Sequence, residues 1–384
     1  MSNDSKSKLL VLLFTLALLI SFSWCFAQPH GRTELNIPNI PGYITLKCDF
    51  HTHTVFSDGS VWPTVRVEEA WLEGLDAIAI TDHIEYLPHK DDITPNHERP
   101  YQIAKTRADE LGIILIKGAE ITRDMPPGHF NALFLKEIDP LDTKDWHDAL
   151  KAAHDQGAFV FWNHPGWRQP QEVPVWYKEH TELLESGWFQ GIEIVNEYSY
   201  YPLAFQWAKE KKLTILGNSD VHSPIQLTYN PARGQHRPIT LVFASERSEL
   251  AIKQALHARR TAVYHNDFIY GDAQFLTAIF QAANQIVTPE ATIKGTNRAI
   301  IQIRNDSDLL FELIASGSRE EISFPEKILI FPKRTVEFQV RGKSKSVAGK
   351  KEIILPFIVK NLLSAPDQSV PIDFKIVIQF LPES

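Results

Sequence analysis

The stretch "HTHTVFSDGS", residues 51–60, places two histidines two positions apart, directly after the apolar-flanked "KCDF". Residues i and i+2 of a strand point to the same side, so His51 and His53 could face one cavity at the end of a strand. Two interpretations compete here. The histidines are a pair of metal ligands, or they are two ordinary polar residues on a strand end.

Other apolar runs of the chain end in the same way. The polar residues that follow or end these runs are Asp82 and His83 after "AIAIT", Glu120 in "IKGAE", His164 after "FVFWN", and Asp220 and His222 in "LTILGNSDVH". A single histidine at a strand end is more often a hydrogen-bonded structural residue than a ligand. A whole set at strand ends favours a metal centre, because imidazole and carboxylate groups suit Zn, Mn and Fe.

The set exceeds what one four-coordinate metal needs. It contains six histidines, if His129 nine residues after Glu120 is included, together with Asp58, Glu120 and Asp220. Two or three divalent ions therefore fit better than one. Asp58 has a simpler alternative, because Asp-Gly favours turns, and His129 could be a loop residue.

The order of apolar runs predicts the fold class. Strand-like runs from "ITLKCDF" to "LTILGNSDVH" alternate with helix-like stretches such as "PTVRVEEAWLEG", which indicates an α/β protein with a parallel sheet. Seven strand candidates favour closure into a barrel over a short open sheet. In such barrels the carboxyl ends of the strands form the active-site face.

The last hundred residues follow a different pattern. Short runs such as "RAIIQIRN" and "TVEFQVRG" alternate between apolar and polar positions and are separated by turn-like segments. This pattern predicts an immunoglobulin-like β-sandwich. All fifteen histidines lie at or before His265, so we expect the chemistry in the first part of the chain.

The N-terminus resembles a secretory signal. Two lysines precede the apolar run "LLVLLFTLALLISFSW", and the small Ala27 stands at the expected cleavage position. We predict a signal peptide over 1–27, a barrel over 28–275 and a β-sandwich over 285–384, with a periplasmic or secreted location and no stable membrane anchor after cleavage. A lone anchor helix is the alternative. The net charge of -8 and the lack of long basic runs argue against a nucleic-acid-binding surface.

The motifs "HTHTVFSDG", "TDH", "GAE", "GHFNAL", "NHP" and "SDVH", in this order, resemble the PHP superfamily, named for polymerase and histidinol phosphatase. The resemblance covers roughly residues 44–265. It implies a distorted (β/α)7 barrel that holds two or three divalent metals and hydrolyses phosphoesters. With the signal and the β-sandwich, the chain is also similar to the Sb-PDE family of phosphodiesterases, on the architecture and on "HRPITLVFA" at 236–244.

The resemblance also implies three ligand groups. The first metal would be bound by His51, His53, Glu120 and Asp220, the second by Glu120, His129 and His164, and the third by Asp58, His83 and His222. The family often has histidine at the eighth position of the first motif, where this chain has Asp58, so the third site is expected to be weaker or differently occupied.

The expected reaction is hydrolysis of a small-molecule phosphodiester by a metal-bridged hydroxide. The candidate catalytic residues are Asp82, His222, Arg123 and His236, with Arg233 as a further candidate for phosphate contact. A helix cap or a partner of a ligand is the alternative for Asp82, and a solvated surface charge is the alternative for the arginines. Competing functions are a phosphomonoesterase, an amide or ester metallohydrolase on the same barrel, and a non-catalytic metal-binding module.

Overall fold

The computed structural model describes residues 31–230 and 233–383, so the predicted signal peptide over 1–27 lies outside the described residues. Within the described ranges, no helix is long and apolar enough to cross a membrane. The helices are α1 (Pro63–Leu72), α2 (Arg99–Leu111), α3 (Trp146–Asp155), α4 (Lys178–Glu185), α5 (Pro202–Lys211), α6 (Ile225–Thr228), α7 (Glu249–His257) and α8 (Ala273–Ala283), with 3-10 turns at Asp139–Leu141 and Pro170–Glu172.

The first part of the chain forms the predicted barrel. Its strands are β1 (Ile44–Asp49), β2 (Ala77–Ile80), β3 (Ile114–Ile121), β4 (Phe130–Leu133), β5 (Phe159–Trp162), β6 (Gly191–Asn196), β7 (Ser199–Tyr200), β8 (Thr214–Asn218), β9 (Ile239–Ala244), β10 (Thr261–His265) and β11 (Phe268–Gly271). β1, β2 and β3 pair in parallel, as do β5, β6 and β8. Helices α1 and α5 begin with proline, whose fixed φ suits the first helical turn.

The sheet is not parallel throughout, which corrects one sequence expectation. β4 pairs antiparallel with both β3 and β5, and β9 pairs antiparallel with β1. No helix separates β3 from β4, so the chain turns back directly. The alternation of apolar residues marks a strand but does not fix its direction, so the sequence alone does not distinguish β4 from its parallel neighbours.

Side chains rather than a regular ladder join β8 to β9 and β10. The Thr240 hydroxyl accepts from the Gly217 amide and also lies 2.9 Å from its carbonyl oxygen, and the Thr261 hydroxyl donates to the Ile215 carbonyl. A side chain at Gly217 would lie 2.2 Å from Val263, so only glycine allows this close approach. The closure distorts the barrel, as the PHP resemblance implies.

The last part of the chain is the predicted β-sandwich. Its strands are β12 (Asn284–Ile286), β13 (Glu290–Lys294), β14 (Arg298–Asn305), β15 (Phe311–Ala315), β16 (Ile322–Ser323), β17 (Lys327–Ile330), β18 (Thr335–Gly342), β19 (Gly349–Ala365) and β20 (Gln368–Leu381). One sheet has the order β12–β14–β18–β16, and the other contains β13, β20, β19, β15 and β17. Their strands alternate buried apolar with exposed residues.

The barrel and the sandwich share a hydrophobic core. β11 pairs in parallel with β19, so one sheet continues from the barrel into the sandwich. The boundary that we predict between 275 and 285 falls on α8 and the start of β12. On α8, Phe275 packs 4.8 Å from Phe243 of β9, and Phe280 packs 5.1 Å from Phe311 of β15. This helix therefore ties the two halves together.

Candidate metal centre

The carboxyl ends of the parallel strands meet at one rim of the barrel, as the sequence predicts. β1 delivers His51 and His53, and β8 delivers Asp220 and His222. The Asp220 amide donates to the His51 carbonyl at 2.9 Å, and the His53 amide donates to the Val221 carbonyl at 3.2 Å, so the two strand ends are joined by backbone hydrogen bonds.

The direction of β4 explains how His129 reaches this rim. An antiparallel strand begins where its parallel neighbours end, and His129 directly precedes β4. Its Nδ1 lies 2.8 Å from Oε1 of Glu120 on β3. His129 is therefore part of the cluster rather than a loop residue remote from it.

Glu120 lies at the centre of the cluster and is completely buried. Its two carboxylate oxygens lie within 2.8–3.6 Å of a nitrogen of five histidines: His129 (2.8 Å), His83 (2.9 Å), His53 (3.3 Å), His51 (3.4 Å) and His164 (3.6 Å). Asp220 is the second shared carboxylate. Its Oδ1 lies 3.0 Å from His53 Nε2 and 3.1 Å from His51 Nε2.

Asp58 forms the outer part of the cluster. Its Oδ1 lies 3.2 Å from His222 Nε2 and 3.4 Å from His83 Nε2. The following Gly59 packs against the His53 backbone, where a side chain would come within 2.7 Å. Asp58 therefore does belong to an Asp-Gly turn, which is the simpler alternative to a metal ligand. The turn also places the Asp58 carboxylate beside His83 and His222.

Four groups of possible ligand atoms lie within 4.8 Å of one another: His51 with His53 and Glu120; His51 with His164 and Asp220; His83 with Glu120 and His129; and His53 with Asp58, His83 and His222. The first contains three of the four residues that the resemblance implies for the first metal, without Asp220, and the last contains the three implied for the third metal together with His53. The second implied group does not form as such, because His164 associates with His51 and Asp220 whereas His129 associates with His83. Glu120 still connects His129 and His164.

The protonation of the cluster follows from burial and charge. Burial lowers the pKa of His53 to about 3, which keeps its imidazole neutral. Burial alone would also lower the pKa of His83, but the carboxylates of Glu120 and Asp58 outweigh it and raise that pKa to about 11. Burial would raise the pKa of Glu120, yet the histidines around it hold this pKa well below its ordinary value. Burial would likewise raise the pKa of Asp220, yet His51 and His53 hold it below its ordinary value, so both central carboxylates are ionised.

These residues fit divalent cations. His53 Nε2 is buried 3.0 Å from Asp220 Oδ1 and 3.3 Å from Glu120 Oε2, yet within the described chain neither contact has the geometry of a hydrogen bond. An imidazole nitrogen left without a partner in the interior is costly unless something else occupies its lone pair. The donors around it are imidazole nitrogens and carboxylate oxygens, which Zn, Mn and Fe accept.

A carboxylate that sequence reasoning missed orients two of the ligands. Glu193 of β6 is buried; its Oε1 lies 3.0 Å from His51 Nδ1, and its Oε2 accepts from the His164 amide at 2.7 Å. The contact with Nδ1 leaves Nε2 of His51 for the cluster, which is the usual arrangement behind a metal-bound histidine. The signal was available, because a glutamate inside the buried strand "GIEIVN" needs a partner.

Arg66 of α1 was also missed. It is 1% exposed, and its guanidinium donates to the backbone carbonyls of His53 (2.7 Å), Val221 (3.0 Å), His222 (2.7 Å) and Ser223 (2.9 Å). Its charge is paired with Glu69 at 2.7 Å. One side chain therefore fixes the loops after β1 and β8.

A second buried arginine, Arg237, fixes the carboxyl ends of the same two strands. It donates to Asp49 at 2.9 Å and to Glu73 at 2.6 Å, and Asp49 in turn accepts from the amide and hydroxyl of Ser219. The neighbouring His236, predicted as catalytic, stacks 4.4 Å from Tyr264 and donates to the Arg237 carbonyl instead. It does not line the cavity above the cluster in the described parts of the chain.

The structure places the other predicted catalytic residues as follows. Asp82 accepts from the Thr54 amide (2.6 Å) and from the Ser57 hydroxyl (2.7 Å). It therefore holds the "HTHTVFSDG" loop and is not one of the described cavity-lining residues.

Arg123 lines the cavity, but Glu85 (2.6 Å) and the Thr143 carbonyl (2.7 Å) already engage its terminal nitrogens. Arg233 is exposed and does not line the cavity in the described ranges.

The cavity above the cluster measures about 680 Å³. Ligand side chains form its floor, with His222 35% exposed, and Tyr86, Trp167, Arg168 and Glu197 contribute to its walls. A space of this size admits a small organic molecule. The fold and this cluster define a barrel protein with side chains at a cavity that could hold divalent metals.

Comparison with known proteins agrees with both parts of the architecture. The chain matches the crystal structure of a two-domain protein from Bacteroides vulgatus that contains a predicted PHP-like metal-dependent phosphoesterase, with 42% identity, a TM-score of 0.86, and coverage of 90% of this chain and 99% of that one. Residues 285–375 match a family model described as an Ig-like domain. The chain therefore belongs to this family of two-domain proteins, which join a PHP-like domain to an Ig-like domain.

Two curated relatives match shorter stretches. An uncharacterized protein of Methanocaldococcus jannaschii is 29% identical over 198 residues, which are 47% of this chain and 84% of that protein. A 5'-3' exoribonuclease of Haemophilus influenzae is 37% identical over 79 residues, and the chain spans only 24% of its length.

Proposed function

We propose that this protein is a secreted metal-dependent phosphodiesterase. The observation that carries the proposal is the buried Glu120, whose carboxylate lies within 3.6 Å of nitrogens of five histidines, three of which line the cavity. One carboxylate surrounded in this way suits a bridge between two cations. The similarity to a predicted phosphoesterase supports the reaction class, and the predicted signal over 1–27 supports secretion.

The divalent cations, when bound, would supply positive charge for the phosphoryl oxygens and a water of lowered pKa as nucleophile. The cation ligands would be His51, His53, Asp58, His83, Glu120, His129, His164, Asp220 and His222. Glu193 would keep His51 oriented, and Arg66 would hold the two ligand loops at their spacing. Arg123 lines the cavity, where its positive charge would lie near a bound phosphoryl group, while Glu85 and the Thr143 carbonyl hold its terminal nitrogens.

The charges at the cavity favour a diester over a monoester. A monoester carries two negative charges near neutral pH, and sites for it usually add cationic side chains to the metals. Arg123 and Arg168 are the described cationic side chains that line this cavity besides its histidines, and Arg123 is already paired with Glu85. Glu172 and Glu197 also line the walls and would repel a second charge. We extend the proposal to the narrower Sb-PDE resemblance on the same grounds.

The test combines metal analysis with two chromogenic substrates. After purification in Mn or Zn, we expect at least two divalent ions per chain and a higher kcat/KM for bis(p-nitrophenyl) phosphate than for p-nitrophenyl phosphate. A protein that binds fewer than two ions, or that prefers the monoester, would contradict the proposal. Hydrolysis of amide or carboxylic ester substrates without phosphodiesterase activity would favour the competing metallohydrolase.

A further inference from the structure

We propose that Trp167 and Tyr86 are two aromatic platforms that select phosphodiesters with planar ring substituents. The inference rests on the proposed phosphodiesterase function and names the substrate class for it. It starts from two large apolar side chains that remain exposed inside the cavity. Trp167 is 37% exposed and Tyr86 is 52% exposed.

Trp167 lies beside the ligand histidines. Its ring centre is 4.6 Å from that of His129 and 5.3 Å from that of His164, both tilted relative to the indole. Its amide donates to the His164 carbonyl at 2.8 Å, so the backbone fixes the indole relative to a ligand. A ring that stacks on this indole would place an attached phosphoryl group close to the cluster.

The loop that carries Trp167 is tightly built. Arg168, Gln171 and Glu172 have positive φ values of 54°, 58° and 56°, which residues other than glycine rarely adopt. A side chain at Gly166 would lie 2.2 Å from the Glu172 carbonyl oxygen, so the loop closes on itself there. Backbone strain of this kind persists where the surroundings enforce it and is common at functional sites. The indole is thus held in place before a ligand arrives.

Arg168 adds charge to the platform. Its guanidinium carbon lies 4.2 Å from the Trp167 ring centre, within the range of a cation–π contact. This contact holds the guanidinium over the indole at the cavity wall. A diester with one negative charge and a ring substituent could therefore contact the Arg168 guanidinium and the Trp167 indole together.

Tyr86 offers the second platform at another member of the cluster. Its ring meets His83 edge to face, with ring centres 5.9 Å apart. His83 and His129 are themselves 5.9 Å apart, so the two histidines connect the platforms across the cluster. A diester has two substituents and can use both platforms, whereas a monoester leaves one of them exposed to water.

Titration calorimetry on the Mn-loaded protein tests the selection without requiring turnover. The probes are diphenylphosphinate and diethylphosphinate, which carry the same single negative charge, have no ester bond to hydrolyse, and differ in whether their substituents are aromatic rings. We expect diphenylphosphinate to bind on the order of 10-fold more tightly, because stacked aromatic pairs add to the burial of their area. Trp167→Ala should remove most of this preference, Tyr86→Ala part of it, and Trp167→Phe should keep most of it.

Trp62→Ala is the matched control, because Trp62 is 46% exposed and does not line the cavity in the described structure. It should leave the preference unchanged. Equal affinity of the wild type for both phosphinates would overturn the inference, as would a Trp167→Ala variant that loses affinity for both equally. If the ring preference holds but no diester is hydrolysed, the proposed function is wrong and the aromatic platforms stand. If diesters are hydrolysed without a ring preference, the proposed function stands and the role of the two aromatic residues is wrong.

Discussion

The barrel and the sandwich bury different kinds of side chain. In the barrel, charged residues such as Glu120, Glu193 and Arg237 are at most 1% exposed. In the described sandwich, the buried polar residues are Asn305, Ser307, Asn361 and Ser364, and no buried residue there is charged. Burying charge costs free energy unless the charge is paired or binds a cation. The barrel carries this cost at the candidate site, and the sandwich does not.

The buried side-chain atoms without a hydrogen bond show a similar contrast. In the barrel they include His53 Nε2, His164 Nδ1 and Arg123 Nε, all in or beside the candidate metal centre. In the described sandwich, Asn284 Oδ1 on β12 is the one such atom. The other buried amides there are satisfied; for example, Asn361 donates to the Asp267 and Leu310 carbonyls. Among the described residues, unsatisfied buried polar atoms are thus concentrated in the barrel.

The largest expected effect on activity comes from Glu120→Gln, which tests whether the buried charge of the barrel serves to bind metal. Loss of the central carboxylate charge should lower the metal content and reduce phosphodiesterase kcat/KM on the order of 1,000-fold or more. Metal analysis and the bis(p-nitrophenyl) phosphate assay measure both effects. The exposed Glu182→Gln is the control. Full metal content in Glu120→Gln would exclude the bridging role.

The shared hydrophobic core predicts that the barrel and the sandwich unfold together, although they bury different kinds of side chain. Phe280 is 2% exposed and packs against Phe311 and Phe374 of the sandwich. Phe280→Ala should lower the free energy of unfolding by roughly 3–5 kcal/mol, the usual cost of removing a buried phenyl ring. Because all nine tryptophans lie at or before Trp207, tryptophan fluorescence reports on the barrel during unfolding, whereas far-UV circular dichroism reports on the whole chain.

If α8 couples the halves, both signals should change in one transition, and Phe280→Ala should shift both midpoints equally. Phe331→Ala, at a ring that is 49% exposed, is the control and should shift neither by much. Separate transitions in the wild type would show that the halves unfold independently. In that case the boundary that we predict between 275 and 285 would stand as a true domain limit.

A smaller effect is expected from Arg66→Met, which removes the guanidinium and keeps most of the side-chain length. The backbone carbonyls of His53, Val221 and His222 would lose their shared donor, so the ligand loops would loosen. Residues that orient metal ligands typically contribute 10- to 100-fold to metal affinity. We expect a loss of about that size in a competition titration with a chelator. Unchanged metal affinity in a folded variant would limit the role of Arg66 to stabilising the fold.

The sequence predicted those parts of the site that depend on strand ends. His51, His164 and Asp220 follow apolar runs, and parallel strands bring their carboxyl ends together. It could not show that β4 is antiparallel, because a period of two is the same in either direction. It also could not separate Arg66 from the solvated charges of "PTVRVEEAWL", since burial of one arginine in a helix depends on the loops that fold over it.

The positions of Asp82 and His236 show a second limit. Both are among the predicted catalytic residues; Asp82 belongs to the motif "TDH" and His236 begins the stretch "HRPITLVFA". Neither lines the described cavity, and each is engaged by neighbouring side chains and backbone. Proximity in sequence to a ligand does not distinguish a residue that faces the cavity from one that holds the loop behind it. We propose that Asp82 positions the loop through Thr54 and Ser57.

The smallest expected effect concerns acid stability, which should originate in the barrel because the chain has no histidine beyond His265. Burial lowers the pKa of His180 to about 4. The ring stacks 3.8 Å from Trp162, its Nε2 donates to the Pro127 carbonyl, and its Nδ1 accepts from the Tyr177 amide. Protonation of Nδ1 would therefore place one donor against another in the interior.

The sign of the pH effect follows from the two pKa values of His180, about 4 in the folded state and about 6.5 in the unfolded state. Between these pH values the unfolded chain binds more protons, so stability is fully present above pH ~6.5 and is lost as the pH falls. At pH 5 the loss should be on the order of 2 kcal/mol. His180→Gln cannot titrate, and its urea unfolding free energy should fall by about that much less between pH 7.5 and pH 5 than that of the wild type. Both proteins are measured in chelator, so that titration of the metal centre contributes equally. An equal loss in the two proteins would show that His180 does not cause acid sensitivity, and His265, whose pKa burial also lowers to about 4, would be examined next.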